Sequence, residues 1–173
     1  MARRLLKTLG GSRQVGRVTL TTTDSKHNFR RFPNLIRGLK ATHPNQFWMA
    51  DITYIRLGLR FIYLAVILDA YTRGIRGWHL GRSLEPGLTL SALKNALANH
   101  PPPLIHHSDQ GSQYAAREYI DLLQNACIYI SMSDTGQPTQ NGLVERFIRT
   151  LKEEHVDYAD YSDFEDAFRQ IAH

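Results

Sequence analysis

Three strand-like segments joined by very short connections constrain the fold of this chain most. They run from Phe47 to Ile55, from Phe61 to Leu68 and from Ile75 to Leu80, and each is rich in apolar residues with a high preference for strands. Gly58 marks the first turn, and residues 69–74 form the second. Because connections this short cannot hold a helical crossover, the sequence predicts an antiparallel meander. The first strand is apolar on both faces, which is typical of a central strand.

Beyond residue 85, helix-like and strand-like segments alternate, which indicates an α/β domain. The predicted elements are a helix from Pro86 to Asn99, a strand over Leu104–His107, a helix over 115–125, a strand over Ile128–Ile130 and a helix from about Thr139 to His155. A capping box at Ser162–Glu165 predicts one more helix. The polar stretch Ser133–Pro138 is expected to be a mobile loop.

Two aspartates occupy positions where an acidic side chain needs an explanation. Asp109 follows the fourth predicted strand, at the turn into a helix, where open α/β sheets bind their ligands. Asp51 lies in the middle of the first strand, where a carboxylate is costly unless it is hydrogen-bonded, paired or bound to a metal. Asp69 also follows a buried strand, but its turn-like surroundings favour a structural role.

The late helix supplies a third carboxylate, Glu145. Projected at 100° per residue, Glu145 lies just outside an apolar stripe, and Asn141, Arg149 and Lys152 lie within about 40° of it around the axis. One face therefore combines a carboxylate with an amide and two cations. Three converging carboxylates repel one another, and hard divalent cations such as Mg²⁺ relieve that repulsion through oxygen ligands.

The charge of the chain is divided unevenly. Residues 1–46 hold ten lysines and arginines against one aspartate, a net charge of +9, whereas residues 47–173 have a net charge of −4. The sequence predicts a basic, partly disordered arm over 1–46, with a helical turn or two at Asn34–Lys40, and a compact body from Phe47. Such an arm is typical of a protein that binds nucleic acid, although a solvated basic tail has the same composition.

Other features of the sequence argue against a membrane protein, a secreted protein and a cysteine-rich protein. The longest apolar run, Phe61 to Leu68, is too short to span a bilayer, so no membrane association is expected. The first residues lack the apolar core of a secretory signal. Cys127 is the only cysteine, which excludes a disulfide framework and a cysteine-based zinc site and fits a cytoplasmic location.

Five segments resemble the catalytic core of bacterial insertion-sequence transposases of the DDE type, in the two-reading-frame group related to retroviral integrases. The segments are TTTDSKHNF, NQFWMADITYI, YLAVILDAYTRGIRGW, IHHSDQGSQYAA and NGLVERFIRTLKEE. The likeness runs from about Thr21 to His173. Its most specific element is the acidic triad, in which 35 residues separate Asp109 from Glu145.

The resemblance implies a ribonuclease H-like fold, with a five-stranded mixed sheet and helices on both faces. Asp51, Asp109 and Glu145 would be catalytic and would bind two Mg²⁺ or Mn²⁺ ions. Lys152 would contact the transposon end, with Arg149, Asn141 and Gln110 as further candidate DNA contacts. The implied reaction is cleavage at the transposon end, followed by attack of the freed 3′-hydroxyl on another strand.

The resemblance also implies partners and a location. The active complex would be a homo-oligomer on DNA, in the bacterial cytoplasm and associated with the nucleoid. Three departures from the family are expected to matter. One cysteine cannot build the zinc-binding module of retroviral integrases. Residues 1–46 supply no convincing helix-turn-helix, and the family continues past residue 173, so the core at 47–173 is expected to be truncated at its C-terminus.

Several alternatives stay open. The same fold serves ribonuclease H-like or resolvase-like nucleases, and a catalytically silent fragment could bind DNA and inhibit a full-length transposase. His106 and His107 point to opposite faces of their strand, and structural roles are favoured for both. Trp48 and Trp78 are expected in the core. Gln110 and Asn141 either contact substrate or serve caps and turns.

Overall fold

The computed structural model describes residues 30–134, 141–156 and 161–172. Its strands are β1 (Phe47–Leu57), β2 (Arg60–Asp69), β3 (Ile75–Gly81), β4 (Ile105–Ser108) and β5 (Tyr129–Met132). Its helices are α1 (Pro86–Asn99), α2 (Arg117–Asn125), α3 (Gly142–Leu151) and α4 (Phe164–Ile171), and a π-helical stretch, Lys152–Val156, continues α3. Each strand and helix predicted from Phe47 onwards is present, with boundaries that differ by a few residues. No helix in the described ranges is long and apolar enough to cross a membrane.

The five strands form one mixed sheet in the order β3-β2-β1-β4-β5. β1, β2 and β3 pair antiparallel, which confirms the predicted meander. The connection through α1 then brings β4 back to the open edge of β1, where the two strands pair in parallel. β5 continues the parallel half beyond β4. β1 is therefore the central strand, as its apolar faces indicate.

Each face of the sheet is covered by a separate apolar cluster. Alternate residues of β1, including Trp48 and Ile52, face the helices α1 and α2. The intervening residues, including Phe47 and Met49, face α3 and α4. Because side chains alternate along a strand, Asp51 shares the face of Met49, on the side covered by α3.

The close packing of α1 on the sheet depends on Gly77 in β3. A Cβ atom added at this glycine would lie only 2.7 Å from the Cβ of Ala96 in α1. Any side chain would therefore push the helix away from the sheet.

The segment before β1 differs from the prediction in two ways. The backbone at Gly38 has a φ of +72°, and the Leu39 amide donates to the Ile36 carbonyl, so a reverse turn replaces the expected helical turns at Asn34–Lys40. Ile36 is buried, and the Leu35 amide donates to the Ser131 hydroxyl at 2.9 Å. The packed body thus begins before Phe47. The rest of the predicted arm, and the predicted loop beyond Asp134, lie outside the described residues.

Asp69 is a structural residue, as its turn-like sequence indicates. It is fully buried, and its two carboxylate oxygens accept hydrogen bonds from the amides of Asn45, Tyr71 and Thr72 and from the Arg76 guanidinium. Burial alone would raise the pKa of this carboxyl, but these hydrogen bonds and the charge of Arg76 outweigh it and lower the pKa. Asp69 therefore fixes the turn after β2 and ties it to the segment before β1.

We expect Asp69→Asn to lower the free energy of unfolding by about 3 kcal/mol, because an amide nitrogen would replace one acceptor and leave Arg76 without its charge partner. Urea denaturation would measure the loss. Asp121→Asn, at an exposed position on α2, is the control and should change stability by no more than about 0.5 kcal/mol. Equal effects of the two substitutions would contradict the structural role of Asp69.

Candidate active site

The end of the β1–β4 pairing places two carboxylates side by side. The last paired residues are Met49 and His107, and Asp51 and Asp109 each lie two positions further along. Continuing the register therefore sets Asp51 opposite Asp109. Neighbouring strands lie about 4.8 Å apart, so both side chains reach a common space at this edge of the sheet. The structure thus brings together two residues that are 58 positions apart in the sequence.

Asp51 lies in a partly buried position beneath α3. Burial is the largest cause that raises the pKa of this carboxyl, to about 7, and the negative charges of Asp109 and Glu145 raise it further. The Ile52 amide, which donates to Asp51 Oδ1 at 2.8 Å, and the nearby Lys152 act in the opposite direction. A carboxylate whose pKa is raised in this way readily takes up a proton or a cation.

Asp109 is held by the turn that follows β4. Its Oδ1 accepts a hydrogen bond from the Gly111 amide at 2.9 Å, the usual way in which an aspartate closes such a turn. This bond fixes the orientation of the Asp109 carboxylate within the turn.

Glu145 reaches the same space from the first turn of α3. Val144 and Ile148 anchor the helix on the sheet, as the predicted apolar stripe requires. Burial raises the pKa of Glu145 and the charge of Asp109 raises it further, whereas Arg149 lowers it. The three predicted carboxylates are therefore electrostatically coupled in the folded chain.

The two predicted cations of α3 flank these carboxylates. Arg149 is exposed in the last turn of the helix, next to Glu145. The Lys152 ammonium lies 4.1 Å from the ring centroid of Tyr54, and its charge lowers the pKa of Asp51. Sequence reasoning missed Tyr54, because nothing in the sequence pairs an aromatic residue of β1 with a lysine about a hundred positions later.

Asn141 and Gln110, the two amide residues predicted to contact DNA, both make hydrogen bonds within the protein. Asn141 is only 3% exposed, and its Nδ2 donates to the Ala50 carbonyl at 3.2 Å, which docks the start of α3 beside Asp51. Gln110 Nε2 donates to the Ser133 carbonyl at 2.9 Å and ties the β4 turn to the end of β5. Helical projection placed Asn141 on the polar face, but it lies just before the helix begins, where that projection does not apply.

Both histidines of β4 are core residues, on opposite faces as the alternation predicts. His106 is hydrogen-bonded to the Tyr119 hydroxyl at 3.0 Å, and burial lowers its pKa to about 3. His107 is hydrogen-bonded to the hydroxyls of Ser131 and Ser133, and burial lowers its pKa to about 4. Trp48 is fully buried, again as predicted.

The donor set fits a hard divalent cation, because all three acidic residues offer carboxylate oxygens. Within residues 30–134, 141–156 and 161–172, no three acidic, histidine or cysteine side chains already form a closed metal site. Mutual repulsion between carboxylates disfavours a closed arrangement of the three groups when no cation is present.

We expect the contribution of Asp51 to the stability of the metal-free protein to fall as the pH rises from about 4 to about 7. The pKa of Asp51 is raised from 3.8 to about 7 by folding, so its stabilising proton is fully present below pH 4 and lost through pH 7. Asp51→Asn removes this dependence, and its stability relative to the wild type should increase by at most about 4 kcal/mol across the window.

Urea denaturation of both proteins in the presence of a chelator, from pH 4 to pH 8, would measure this difference. Asp69→Asn is the control with the opposite sign. Because the pKa of Asp69 is lowered, its charge stabilises the fold above pH 4, and the cost of its removal should be present throughout the window. A difference between Asp51→Asn and the wild type that does not vary with pH would refute the expectation.

Comparisons with known proteins identify the family to which the chain belongs. Residues 41–138 and residues 126–173 match two family models described as integrase core domain. A 31 kDa protein of insertion element IS600 from Shigella sonnei is 39% identical over 153 residues, which are 87% of this chain and 56% of that protein. The transposase for insertion sequence element IS904 from Lactococcus lactis is 38% identical over 142 residues, which are 80% of this chain and 56% of that protein.

A further relative is the transposase InsF for insertion sequence IS3A from Escherichia coli, 37% identical over 118 residues, with 67% of this chain and 41% of that protein covered. The chain thus spans about half the length of the curated relatives it matches.

Two solved structures share the fold. The HTLV-2 integrase catalytic core domain, in complex with magnesium and in a trimeric form, superposes with a TM-score of 0.59 and 22% identity, covering 69% of this chain and 74% of that chain. The simian T-cell lymphotropic virus intasome, in complex with a PP2A regulatory subunit, gives a TM-score of 0.66 and 21% identity, covering 87% of this chain and 54% of that chain. The fold is therefore ribonuclease H-like, and the chain belongs to the integrase core domain family.

Proposed function

We propose that this chain is the catalytic core of a DDE transposase, which cleaves DNA at transposon ends and joins the freed 3′-hydroxyl to another strand. The observation that carries the proposal is the position of Asp51 and Asp109. They lie opposite each other just beyond the β1–β4 pairing, with Glu145 coupled to Asp109 from α3. The names of the curated relatives, transposases of insertion sequences, support the same reaction.

Asp51, Asp109 and Glu145 would hold two Mg²⁺ or Mn²⁺ ions. When bound, such ions activate the attacking oxygen and stabilise the leaving oxygen in phosphoryl transfer. The raised pKa values of Asp51 and Glu145 support this role, because a cation relieves the unfavourable charge that raises them. The magnesium bound by the HTLV-2 integrase core offers an analogy from a protein of the same fold.

The remaining residues would bind and orient DNA. Arg149 and Lys152 present positive charge beside the carboxylates, where a phosphate backbone would otherwise be repelled. The contact with Tyr54 restricts the Lys152 ammonium to the mouth of the site. Gln110 would act mainly by holding the turn that carries Asp109. Asn141 would act mainly by docking α3, and its Oδ1, buried without a hydrogen-bond partner in the described part of the chain, is the atom with which it could bind a substrate group.

In the active complex we expect several copies of the chain on DNA. The HTLV-2 integrase core, which shares the fold, has been solved in dimeric and trimeric forms. The bacterial nucleoid would be the place of action, since the proposed substrate is chromosomal or element DNA.

We expect Asp109→Asn to reduce strand cleavage and strand transfer to background while the fold and DNA binding persist. Asparagine keeps the Oδ1 acceptor for the Gly111 amide, so the turn is retained while the charge of the metal ligand is lost. Cleavage of a labelled transposon-end duplex and joining of a pre-cleaved end, each with Mn²⁺, would measure the two steps. Asp121→Asn on α2 is the matched control and should keep both.

The outcomes separate the candidate functions. Joined products from the pre-cleaved end support a transposase, and nicks alone would indicate a structure-selective nuclease. DNA binding by the wild type without metal-dependent turnover would indicate a silent, inhibitory fragment. Full turnover by Asp109→Asn at matched metal concentration would remove Asp109 from the site.

We expect the first 29 residues to supply much of the non-specific DNA affinity. They contain six lysines and arginines and one aspartate. Each phosphate contact adds about 0.9 to the slope of log affinity against log salt, so removing residues 1–29 should flatten that slope by several units. The deletion stops at residue 29 because Ile36 and its neighbours pack on the body. Binding to a random duplex at a series of salt concentrations would measure the slope.

A second variant separates charge from chain length. Changing the six lysines and arginines of residues 1–29 to glutamine keeps the length and removes the positive charge. It should flatten the salt dependence as much as the deletion does. A slope equal to that of the wild type in both variants would show that this segment does not bind DNA.

A further inference from the structure

The Tyr114 side chain carries a buried polar group that the proposed chemistry does not use. Tyr114 is 2% exposed, and its hydroxyl makes no hydrogen bond with any residue that the structure describes. Leaving such a group without a partner costs about 1–3 kcal/mol. Phenylalanine would fill the same space without that cost. Packing alone therefore does not explain why this residue is a tyrosine. A hydrogen-bond acceptor that comes within reach of the hydroxyl when a ligand binds would explain it.

The position of Tyr114 points to the carboxylates as that partner. Its amide donates to the Gly111 carbonyl at 3.0 Å, and the Gly111 amide in turn donates to Asp109 Oδ1, so one compact turn holds both residues. The Tyr114 ring packs with Ala50 and Ile52 on the α1 and α2 side of the sheet, the face opposite to the Asp51 side chain. Asp109, at the end of β4 and in the same turn as Tyr114, is therefore the carboxylate that this position favours as the partner.

The electrostatics agree with this geometry. Burial raises the pKa of the Tyr114 phenol well above its ordinary value, and the charges of Asp109 and Asp51 raise it further. The hydroxyl thus lies within electrostatic reach of both carboxylates, and it keeps its proton at neutral pH. A protonated phenol beside carboxylates is a hydrogen-bond donor whose natural acceptors are close.

Tyr119, in the same core, is a buried tyrosine whose hydroxyl has a hydrogen-bond partner. Its ring packs edge-on against that of Tyr114, with the centroids 5.5 Å apart and the planes at 79°. Its hydroxyl, however, is hydrogen-bonded to His106 at 3.0 Å. The two tyrosines share their burial and differ in whether the hydroxyl has a partner, so Tyr119 provides a matched comparison.

We propose that Tyr114 is a positioning residue whose hydroxyl donates a hydrogen bond to the Asp109 carboxylate when Asp51, Asp109 and Glu145 close around a divalent cation. The inference rests on the proposed metal-dependent function. One oxygen of Asp109 accepts from the Gly111 amide, and a carboxylate has lone pairs enough for a cation and a further donor. Hydrogen bonds of this kind orient a metal ligand, and their loss typically weakens metal binding about 10- to 100-fold.

The test compares the full 173-residue wild type with Tyr114→Phe, Tyr119→Phe and Asp51→Asn. The melting temperature is followed against MnCl₂ concentration at fixed pH, and urea denaturation with a chelator gives the stability without metal. The wild type should melt at a higher temperature as Mn²⁺ is added, because an ion that binds only the folded state stabilises it. Asp51→Asn should lose that response.

The two tyrosine variants should then behave in opposite ways. Tyr114→Phe should need at least about tenfold more Mn²⁺ for the same shift, while its metal-free stability equals or exceeds that of the wild type. Tyr119→Phe should lose metal-free stability and keep the Mn²⁺ dependence of the wild type. A merely structural role for Tyr114 would not change the Mn²⁺ dependence.

An unchanged Mn²⁺ dependence in Tyr114→Phe overturns the inference and leaves the proposed function standing. A loss of metal-free stability in Tyr114→Phe also overturns it, because the hydroxyl would then already have a partner in the unloaded fold. A wild type that does not respond to Mn²⁺ overturns the metal site itself, and the role of Tyr114 with it.

Discussion

The parallel pairing of β1 with β4 is the constraint on which the site depends. The meander leaves one edge of β1 open, and the passage through α1 returns the chain to that edge. The pairing ends at Met49 and His107, and the next carboxylate on each strand lies two positions beyond. A shift of one residue in this register would turn one of the two aspartates to the other face of the sheet, away from α3. The buried side chains on both faces of β1 prevent that shift.

Asp51 and Asp69 show how the same residue type acquires opposite properties in one sheet. Both are removed from water, which by itself disfavours the charged form. Asp69 receives three backbone amides and a guanidinium, so its pKa is lowered and it remains a charged anchor. Asp51 receives one amide and faces two other carboxylates, and its pKa is raised to about 7. The hydrogen-bond donors and the guanidinium around Asp69 lower its pKa, whereas burial and two neighbouring carboxylates raise that of Asp51.

The features that follow from local patterns were predictable. Short turns specify the meander, Pro86 begins α1 as predicted, and the apolar stripe of α3 packs on the sheet. Features that depend on contacts between residues distant in the sequence could not be predicted. The Gly38 turn and the packing of Ile36 move the start of the body, although charge and composition assign that segment to the arm. Asn141 was placed on a helix face, but its hydrogen bond to Ala50 crosses 91 positions of sequence.

The helix α3 also stabilises the charges that it brings to the site. Glu145 lies in its first turn and Arg149 in its last, which is the favourable arrangement for the helix dipole. Glu145 is thus supported as a carboxylate by the helix N-terminus and by Arg149, against the burial and the charge of Asp109 that raise its pKa. Asp51 comes from a strand, whose dipole is small, and has only the Ile52 amide and Lys152 in support. Of these two carboxylates, Asp51 is therefore the one whose unfavourable charge a cation at the proposed site would relieve more.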